Sequence, residues 1–164
     1  MASDIVITSD STTDLSPELR ERYNISVAPL GITLGDKVYT DGVDITPDDI
    51  YAHHAKTGEL PKTTATNVGD CLDFFKKFTD EGKTVIHFTI SSDMSSTYNN
   101  ACIAASELEN VYVIDTKNLS TGGGLLVVAA AEMLRDGLSA EEIVKKSTEL
   151  VPCVDASFVI DSLE

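Results

Sequence analysis

Short apolar runs rich in β-branched residues alternate along this chain with longer stretches in which apolar residues recur every three or four positions. The runs at 5–8, 84–90 and 111–114 predict buried strands, because β-branched side chains suit a pleated surface. A polar turn and then a helical pattern follow each of them, at 17–23, 98–108 and 122–135. This alternation predicts an α/β fold with a mainly parallel sheet flanked by helices.

The remaining patterns add smaller elements to this plan. Residues 25–34 form one extended segment, which Gly35-Asp36 turns back to give a small hairpin near 32–39. Helical patterns begin after Thr46 and Asn67, and a last helix follows Ser139. The helix at 122–135 is apolar nearly all round, so we expect it to be buried on every side. A further strand is expected to begin at 156–160.

Hydroxyl side chains are concentrated in the turns that follow the predicted strands, at 9–13, 91–97 and 116–121. Ligands of parallel sheets bind beyond the carboxyl ends of the strands, where these turns and the loop 63–66 are expected to meet. The 91–97 turn precedes a helix, whose unpaired N–H groups and positive dipole end favour an anion. Ser95 and Ser96 have a second interpretation as caps of their own helix. Neutral donors without a central cation suit a carboxylate better than a polyphosphate.

Composition narrows the class of partner. A net charge of −15 and a pI near 4.4 exclude a nucleic-acid surface and docking on anionic lipid head groups. Three widely spaced cysteines indicate neither a disulfide framework nor a zinc cluster. The longest apolar run, 118–131, is too short for a membrane span. We therefore expect a soluble cytoplasmic domain that is not an integral membrane protein.

Catalytic motifs are weak. There is no Gly-x-Ser-x-Gly elbow, and His53, His54 and His87 lack the spacing of metal ligands. We expect His87 to be a core histidine and Asp10 to be a turn residue. A phosphotransferase or hydrolase that uses Asp10 or Ser95 as nucleophile remains the alternative function. The sequence thus predicts no catalytic residue, no metal and no cofactor.

Seven segments resemble the DegV family of fatty-acid-binding proteins in order and spacing across essentially the whole chain. They are Ile-Thr-Ser-Asp-Ser-Thr-Thr-Asp-Leu (7–15), Val-Ala-Pro-Leu (27–30), Tyr-Thr-Asp-Gly-Val-Asp-Ile-Thr-Pro (39–47), Leu-Pro-Lys-Thr-Thr (60–64), Ile-Ser-Ser-Asp-Met-Ser-Ser-Thr-Tyr (90–98), Val-Ile-Asp-Thr-Lys (113–117) and Phe-Val-Ile-Asp-Ser-Leu-Glu (158–164).

The resemblance implies a lipid carrier rather than an enzyme. Family members bind one long-chain fatty acid, and some present its carboxyl group to a separate fatty-acid kinase that forms an acyl phosphate. The residues that hold the carboxylate in the family correspond to Thr63, Ser95 and the backbone N–H of Ser96. Thr64 and Ser92, the neighbouring hydroxyls in the same two motifs, are further candidate ligand-binding residues.

This chain departs from the family pattern in two motifs and in length. Thr63-Thr64-Ala65-Thr66-Asn67 replaces Thr-Ser-Gln-Pro-Ser, and Ser96 replaces a glycine. Family members continue into a second domain that closes over the acyl chain. We therefore expect residues 1–154 to be the α/β lipid-binding first domain and 155–164 to start a second domain missing from this chain. An uncovered apolar face would favour self-association, and a fragment without retained binding is the remaining alternative.

Overall fold

A computed structural model describes residues 4–157 and 159 of the chain. The strands are β1 (Ile5–Asp10), β2 (Ser26–Ala28), β3 (Gly31–Leu34), β4 (Lys37–Thr40), β5 (Lys62–Thr64), β6 (Thr84–Thr89) and β7 (Val111–Asp115). The α-helices are α1 (Pro17–Tyr23), α2 (Pro47–Thr57), α3 (Val68–Thr79), α4 (Thr97–Ser106), α5 (Thr121–Arg135) and α6 (Ala140–Leu150). Two short 3₁₀ turns lie at Ser11–Thr13 and Val151–Cys153.

Four parallel strands form the main sheet in the order β2-β1-β6-β7. The central pair β1 and β6 are in register with Ile5 opposite Thr84 and Ser9 opposite Phe88. Both central strands are buried on both faces, which explains why they lack a hydrophobic alternation. The predicted α/β fold with a mainly parallel sheet is therefore confirmed.

Helices cover both faces of this sheet. Ile86 and Phe88 pack with α5 and α6 on one face, and Val85 packs with α3 and α4 on the other. His87 lies on the α3 side, where its ring is 5.0 Å from that of Phe75 and its Nδ1 is 2.9 Å from Thr8 Oγ1. The expectation that His87 is a core histidine is correct.

A second, antiparallel sheet in the order β4-β3-β5 projects from the main one. The predicted hairpin near 32–39 is present as β3 and β4. The single extended segment expected at 25–34 is wrong, because β2 and β3 belong to different sheets and Pro29-Leu30 separates them. The expected loop at 63–66 is also partly wrong, since Lys62–Thr64 pairs with the free edge of β3.

Helix α5 is largely buried, and its exposed residues are Thr121, Leu125 and Arg135. Leu126 and Val127 are 1% and 0% exposed, as expected, but Leu125 is 64% exposed. The prediction of a central, mostly buried helix is therefore correct, because α5 packs on β1, β6, α1, α6 and the first 3₁₀ turn. The expectation that no position is solvated is wrong at Leu125. An apolar composition does not by itself show which side of a helix has a neighbour.

The chain after α6 differs from the expectation of a strand at 156–160. Ala156 and Ser157 take part in no strand, and Phe158 and Ile160 lie outside the described residues. The proposed start of a second domain, at 155–164, lies largely outside them as well. None of the helices in the described part of the chain is long and apolar enough to cross a membrane.

Candidate ligand-binding site

A cavity of about 500 Å³ opens at the carboxyl ends of the parallel strands. Each strand of the main sheet contributes one residue from just beyond its end, and the small sheet and the turn before α4 complete the wall. The lining residues are Thr12 after β1, Leu30 after β2, Ile90 after β6 and Leu119 after β7, with Thr63, Ala65, Met94, Ser95 and Ser96. This position is where ligands of parallel sheets bind.

The amino terminus of α4 supplies one polar side of the cavity. Ser95 Oγ accepts the N–H of Thr97 at 3.2 Å and lies 2.9 Å from Thr97 Oγ1. The N-cap position of α4 is Ser96, but the hydroxyl of Ser95 satisfies the first N–H of the helix. Ser95 therefore stabilises the helix end and lines the cavity, so the two interpretations offered by the sequence do not exclude each other. Ser96 makes no side-chain cap, and its backbone N–H donates to no acceptor among the described residues.

Thr63 faces the same cavity from the opposite side. It lies on β5, opposite Ile32 of β3. Because successive side chains of a strand point to opposite faces, Thr64 is directed away from the cavity and its Cβ lies against Gly31. The structure thus brings together three of the five predicted site residues, Thr63, Ser95 and Ser96, and leaves Thr64 outside the lining.

Ser92 also lies outside the lining and belongs to a neighbouring polar cluster. Its hydroxyl accepts from Lys117 Nζ at 2.7 Å, and Lys117 forms ion pairs of 3.2 Å with Asp93 and Asp115. Burial opposes the ionisation of Asp115, but hydrogen bonds from Ser92 and Lys117 outweigh it and lower the pKa of Asp115. Hydrogen bonds to Asp115 and Asp93 raise the pKa of Lys117. The ammonium group of Lys117 is therefore paired with Asp93 and Asp115, and it holds the 91–97 turn in place.

Asp10 lies beneath the cavity and connects two of its lining residues. One carboxylate oxygen accepts the N–H and the hydroxyl of Thr12, at 3.1 and 2.6 Å, and the other accepts the N–H of Ile90 at 2.7 Å. Burial raises the pKa of Asp10, against the hydrogen bonds from Thr12 and Ile90. Asp10 also caps the first 3₁₀ turn, so the expectation of a turn residue is correct.

The geometry disfavours the catalytic alternative. Asp10 is fully buried with both oxygens engaged, so it is not placed to attack a ligand. Ser95 is hydrogen-bonded to Thr97, with no histidine in that network. Burial lowers the pKa of His87 to about 3, so it is neutral at physiological pH. In the described part of the chain, no cluster of three His, Cys, Asp or Glu side chains is placed to hold a metal ion.

Sequence reasoning did not single out several of the lining residues. Thr12 and Leu119 lie in turns that were expected to reach this edge, but nothing in their spacing distinguishes them from their neighbours. Leu30 contributes because Pro29-Leu30 separates two sheets, a break that the apolar pattern of 25–34 does not show. The apolar part of the cavity is therefore mainly a result of topology.

The fold and the cavity together define an α/β domain whose cavity has a largely apolar wall and neutral donors at its polar side. The model of the DegV family, described as uncharacterised proteins, matches residues 4–164. The chain belongs to the DegV family. A DegV domain-containing protein of Clostridium perfringens is 36% identical over 162 residues, which are 98% of this chain and 58% of that protein.

Solved structures of DegV proteins share the fold. A fatty-acid-binding DegV protein from Thermus thermophilus has a TM-score of 0.83 and 32% identity, covering 90% of this chain and 53% of that one. A stearic acid-binding protein from Eubacterium ventriosum has a TM-score of 0.80 and 37% identity, covering 86% of this chain and 51% of that one. This chain spans a little over half the length of the curated relatives that it matches.

Proposed function

We propose that this domain binds one long-chain fatty acid in the cavity, with the carboxylate between Thr63 and the amino terminus of α4. The observation that carries the proposal is that hydroxyls from two distant parts of the chain line one cavity whose other walls are largely apolar. Fatty-acid binding by the Thermus thermophilus and Eubacterium ventriosum relatives, at 32% and 37% identity, supports it.

In this proposal the head group is held by three neutral donors. They are the hydroxyls of Thr63 and Ser95 and the N–H of Ser96. Hydrogen bonds to a carboxylate are about twice as strong as neutral ones, and the dipole of α4 adds roughly 0.3–1 kcal/mol. Ser92 supports the site from beside it through Lys117. Thr64 lies beside the site, but the backbone pairing of β5 does not depend on its side chain.

The acyl chain supplies most of the affinity. Leu30, Ile90, Met94 and Leu119 offer it an apolar wall. Each buried methylene contributes about 0.8 kcal/mol, so a long chain gains more than the head group does. A larger contribution from the acyl chain than from the head group suits a carrier, because a second protein can reach the carboxylate while the acyl chain stays bound.

We further propose that the domain acts as a carrier in the cytoplasm and not as an enzyme, and that it presents the carboxylate to a fatty-acid kinase for acyl-phosphate formation. No nucleic acid partner is proposed, since the charge of −15 repels phosphates. A phosphoryl acceptor needs an accessible oxygen, and an edge-located carboxylate meets that need. Fatty-acid-dependent ATP turnover by a kinase on adding this domain tests the partnership.

Substitution of the two hydroxyl residues tests the site. Thr63→Ala should weaken fatty-acid binding by roughly 1.5–3 kcal/mol without changing the free energy of unfolding, because Thr63 is exposed. Ser95→Ala should weaken binding similarly and also cost about 1 kcal/mol of stability, because Ser95 caps α4. Thr64→Ala is the matched control and should leave binding unchanged. Equal affinities for wild type, Thr63→Ala and Ser95→Ala would contradict the assignment.

Self-association is a separate proposal. Met94, on the cavity wall, is 54% exposed, and Leu125 on the outer side of α5 is exposed as well. Such apolar surface favours association of copies of the chain, despite their charge. Sedimentation at rising concentration should show species heavier than a monomer, together with binding of a hydrophobic dye. A pure monomer that binds no dye would contradict this proposal.

A further inference from the structure

The two sides of the proposed carboxylate site belong to different parts of the fold. Thr63 lies on β5, at the edge of the small sheet, and β5 pairs on one side only, with β3. Ser95 and Ser96 lie at the amino terminus of α4, a helix that packs on the main sheet. The small sheet projects from the main one, so the pairing of strands within either sheet does not set the gap between these donors.

One side chain of α4 joins this helix to the segment that follows β5. Asn100 Nδ2 donates to the carbonyl oxygen of Thr66 at 2.8 Å. Among the described residues, this is the one hydrogen bond that connects residues 58–67 to α4. Thr66 is 7% exposed, so water competes poorly for its carbonyl oxygen. The hydroxyl of Thr66 is buried without a partner and adds no second hydrogen bond to this connection.

The two ends of this hydrogen bond lie close to the two sets of donors. The N–H of Asn100 donates to the carbonyl oxygen of Ser96 at 3.0 Å, so Asn100 lies about one helical turn beyond the donors at the start of α4. Thr66 follows Thr63 by three residues, and Ala65 between them lines the cavity. The side chain of Asn100 therefore connects the two sides of the cavity next to the proposed site.

We propose that Asn100 is a positioning residue, which holds the segment after β5 against α4 and thereby keeps the Thr63 hydroxyl within reach of a carboxylate bound at the amino terminus of α4. This role rests on the proposed function, and it adds a residue that does not line the cavity. A wider gap would remove Thr63 from the site, because a hydrogen bond is lost once donor and acceptor separate beyond about 3.5 Å.

A double-mutant cycle tests whether Asn100 acts through Thr63. Titration calorimetry measures palmitate binding to wild type, Asn100→Ala, Thr63→Ala and the double variant. Asn100→Ala should weaken binding about fivefold, because the loss of an ordinary hydrogen bond lowers the population of the binding-competent arrangement by about that factor. In the Thr63→Ala background the same substitution should change the affinity by less than about twofold, because the hydroxyl that Asn100 positions is already absent. Asn99→Ala is the matched control, since Asn99 is exposed on the same helix, and it should leave binding unchanged in both backgrounds.

The outcomes of the cycle separate this role from a purely structural one and from the proposed function. If Asn100→Ala weakens binding equally with and without the Thr63 hydroxyl, or leaves binding unchanged, the positioning role is wrong and the binding function stands. If Asn100→Ala does not fold, Asn100→Leu keeps a similar shape without a donor and must give the same non-additive result. Wild type that binds no palmitate, or Thr63→Ala that binds like wild type, overturns the proposed site and this role together.

Discussion

Two hydrogen-bonded pairs of polar side chains lie on the α3 side of the sheet, although the buried hydroxyl of Thr89 on the same side has no partner. Thr8 contacts the ring of His87, and Thr97 contacts Ser95 at the head of α4. Buried polar groups without a partner are costly, so these pairs hold the strand ends rigidly in place. A rigid edge is what a preorganised binding site needs, since less ordering remains to be done when the ligand arrives.

The imidazole of His87 makes stability depend on pH. Burial lowers its pKa from 6.5 to about 3, so between these values the unfolded chain binds a proton that the folded chain does not. Stability from this residue is complete above pH 6.5 and is lost as the pH falls towards 3. We expect the free energy of unfolding to decrease by about 2 kcal/mol between pH 7 and pH 5.

Denaturant titrations at the two pH values measure this loss. His87→Asn should be less stable overall but should lack the loss between pH 7 and pH 5, because asparagine does not titrate there. His54→Gln is the control, since His54 is exposed, and it should keep the loss of wild type. A loss of the same size in His87→Asn would show that another group causes it.

The sequence indicates which residues line the polar side of the cavity, but it does not show the role of each one. A helix amino terminus with clustered hydroxyls is visible at 91–97, and the resemblance leads to Thr63 and Ser95. It does not show that Ser95 caps and faces the cavity together, or that Thr64 points away, because both depend on pairings with distant strands. The sequence presents Asp10 as a turn residue or as the nucleophile of the alternative function. It does not show the hydrogen bond to Ile90, because Ile90 follows a different strand.

At the scale of elements, helix α5 shows how closely a helix can approach the rest of the fold. A Cβ at Gly124 would lie 2.8 Å from the carbonyl oxygen of Thr13, and one at Gly122 would lie 2.5 Å from Asn118 Oδ1. Neither position has room for a side chain. These glycines therefore allow close packing, and they bring the start of α5 against the turn that follows β1.

Two adjacent leucines of α5 test which of its positions face the core. Leu126→Ala should lower the free energy of unfolding by about 2–5 kcal/mol, because Leu126 is 1% exposed and its removal leaves a cavity in the core. Leu125→Ala is the matched control and should change it by less than about 0.5 kcal/mol, as is usual for surface positions. Chemical denaturation of both variants measures the difference. Equal losses at the two positions would contradict this placement of the helix.

Element type and order are largely predictable from the sequence, and sheet membership is not. The parallel strands, the hairpin and the helix caps at Ser16, Thr46, Asn67 and Ser139 follow from local patterns. The division of 25–34 between two sheets and the pairing of β5 with β3 depend on which strand edge is free. Local periodicity carries no information about a free edge.

At the scale of the whole molecule, the negative charge of the chain opposes the binding of the proposed anionic ligand. The net charge of −15 repels a fatty-acid anion at long range, and salt screens that repulsion within about 10 Å. The proposed binding of a fatty acid would therefore rest on short-range contacts, namely the donors at α4 and the apolar wall. One residue from beyond the end of each of the four parallel strands lines the cavity. The cavity therefore depends on the complete sheet rather than on any single motif.

Mass spectrometry of lipid extracted from the purified domain tests the central claim most directly. The account predicts that a long-chain fatty acid copurifies with the wild-type chain at up to one molecule per chain. A Thr63→Ala, Ser95→Ala double variant that remains folded should carry much less, while Thr64→Ala should carry as much as wild type. Folded wild-type protein that releases no fatty acid, or a double variant that releases as much as wild type, would contradict it.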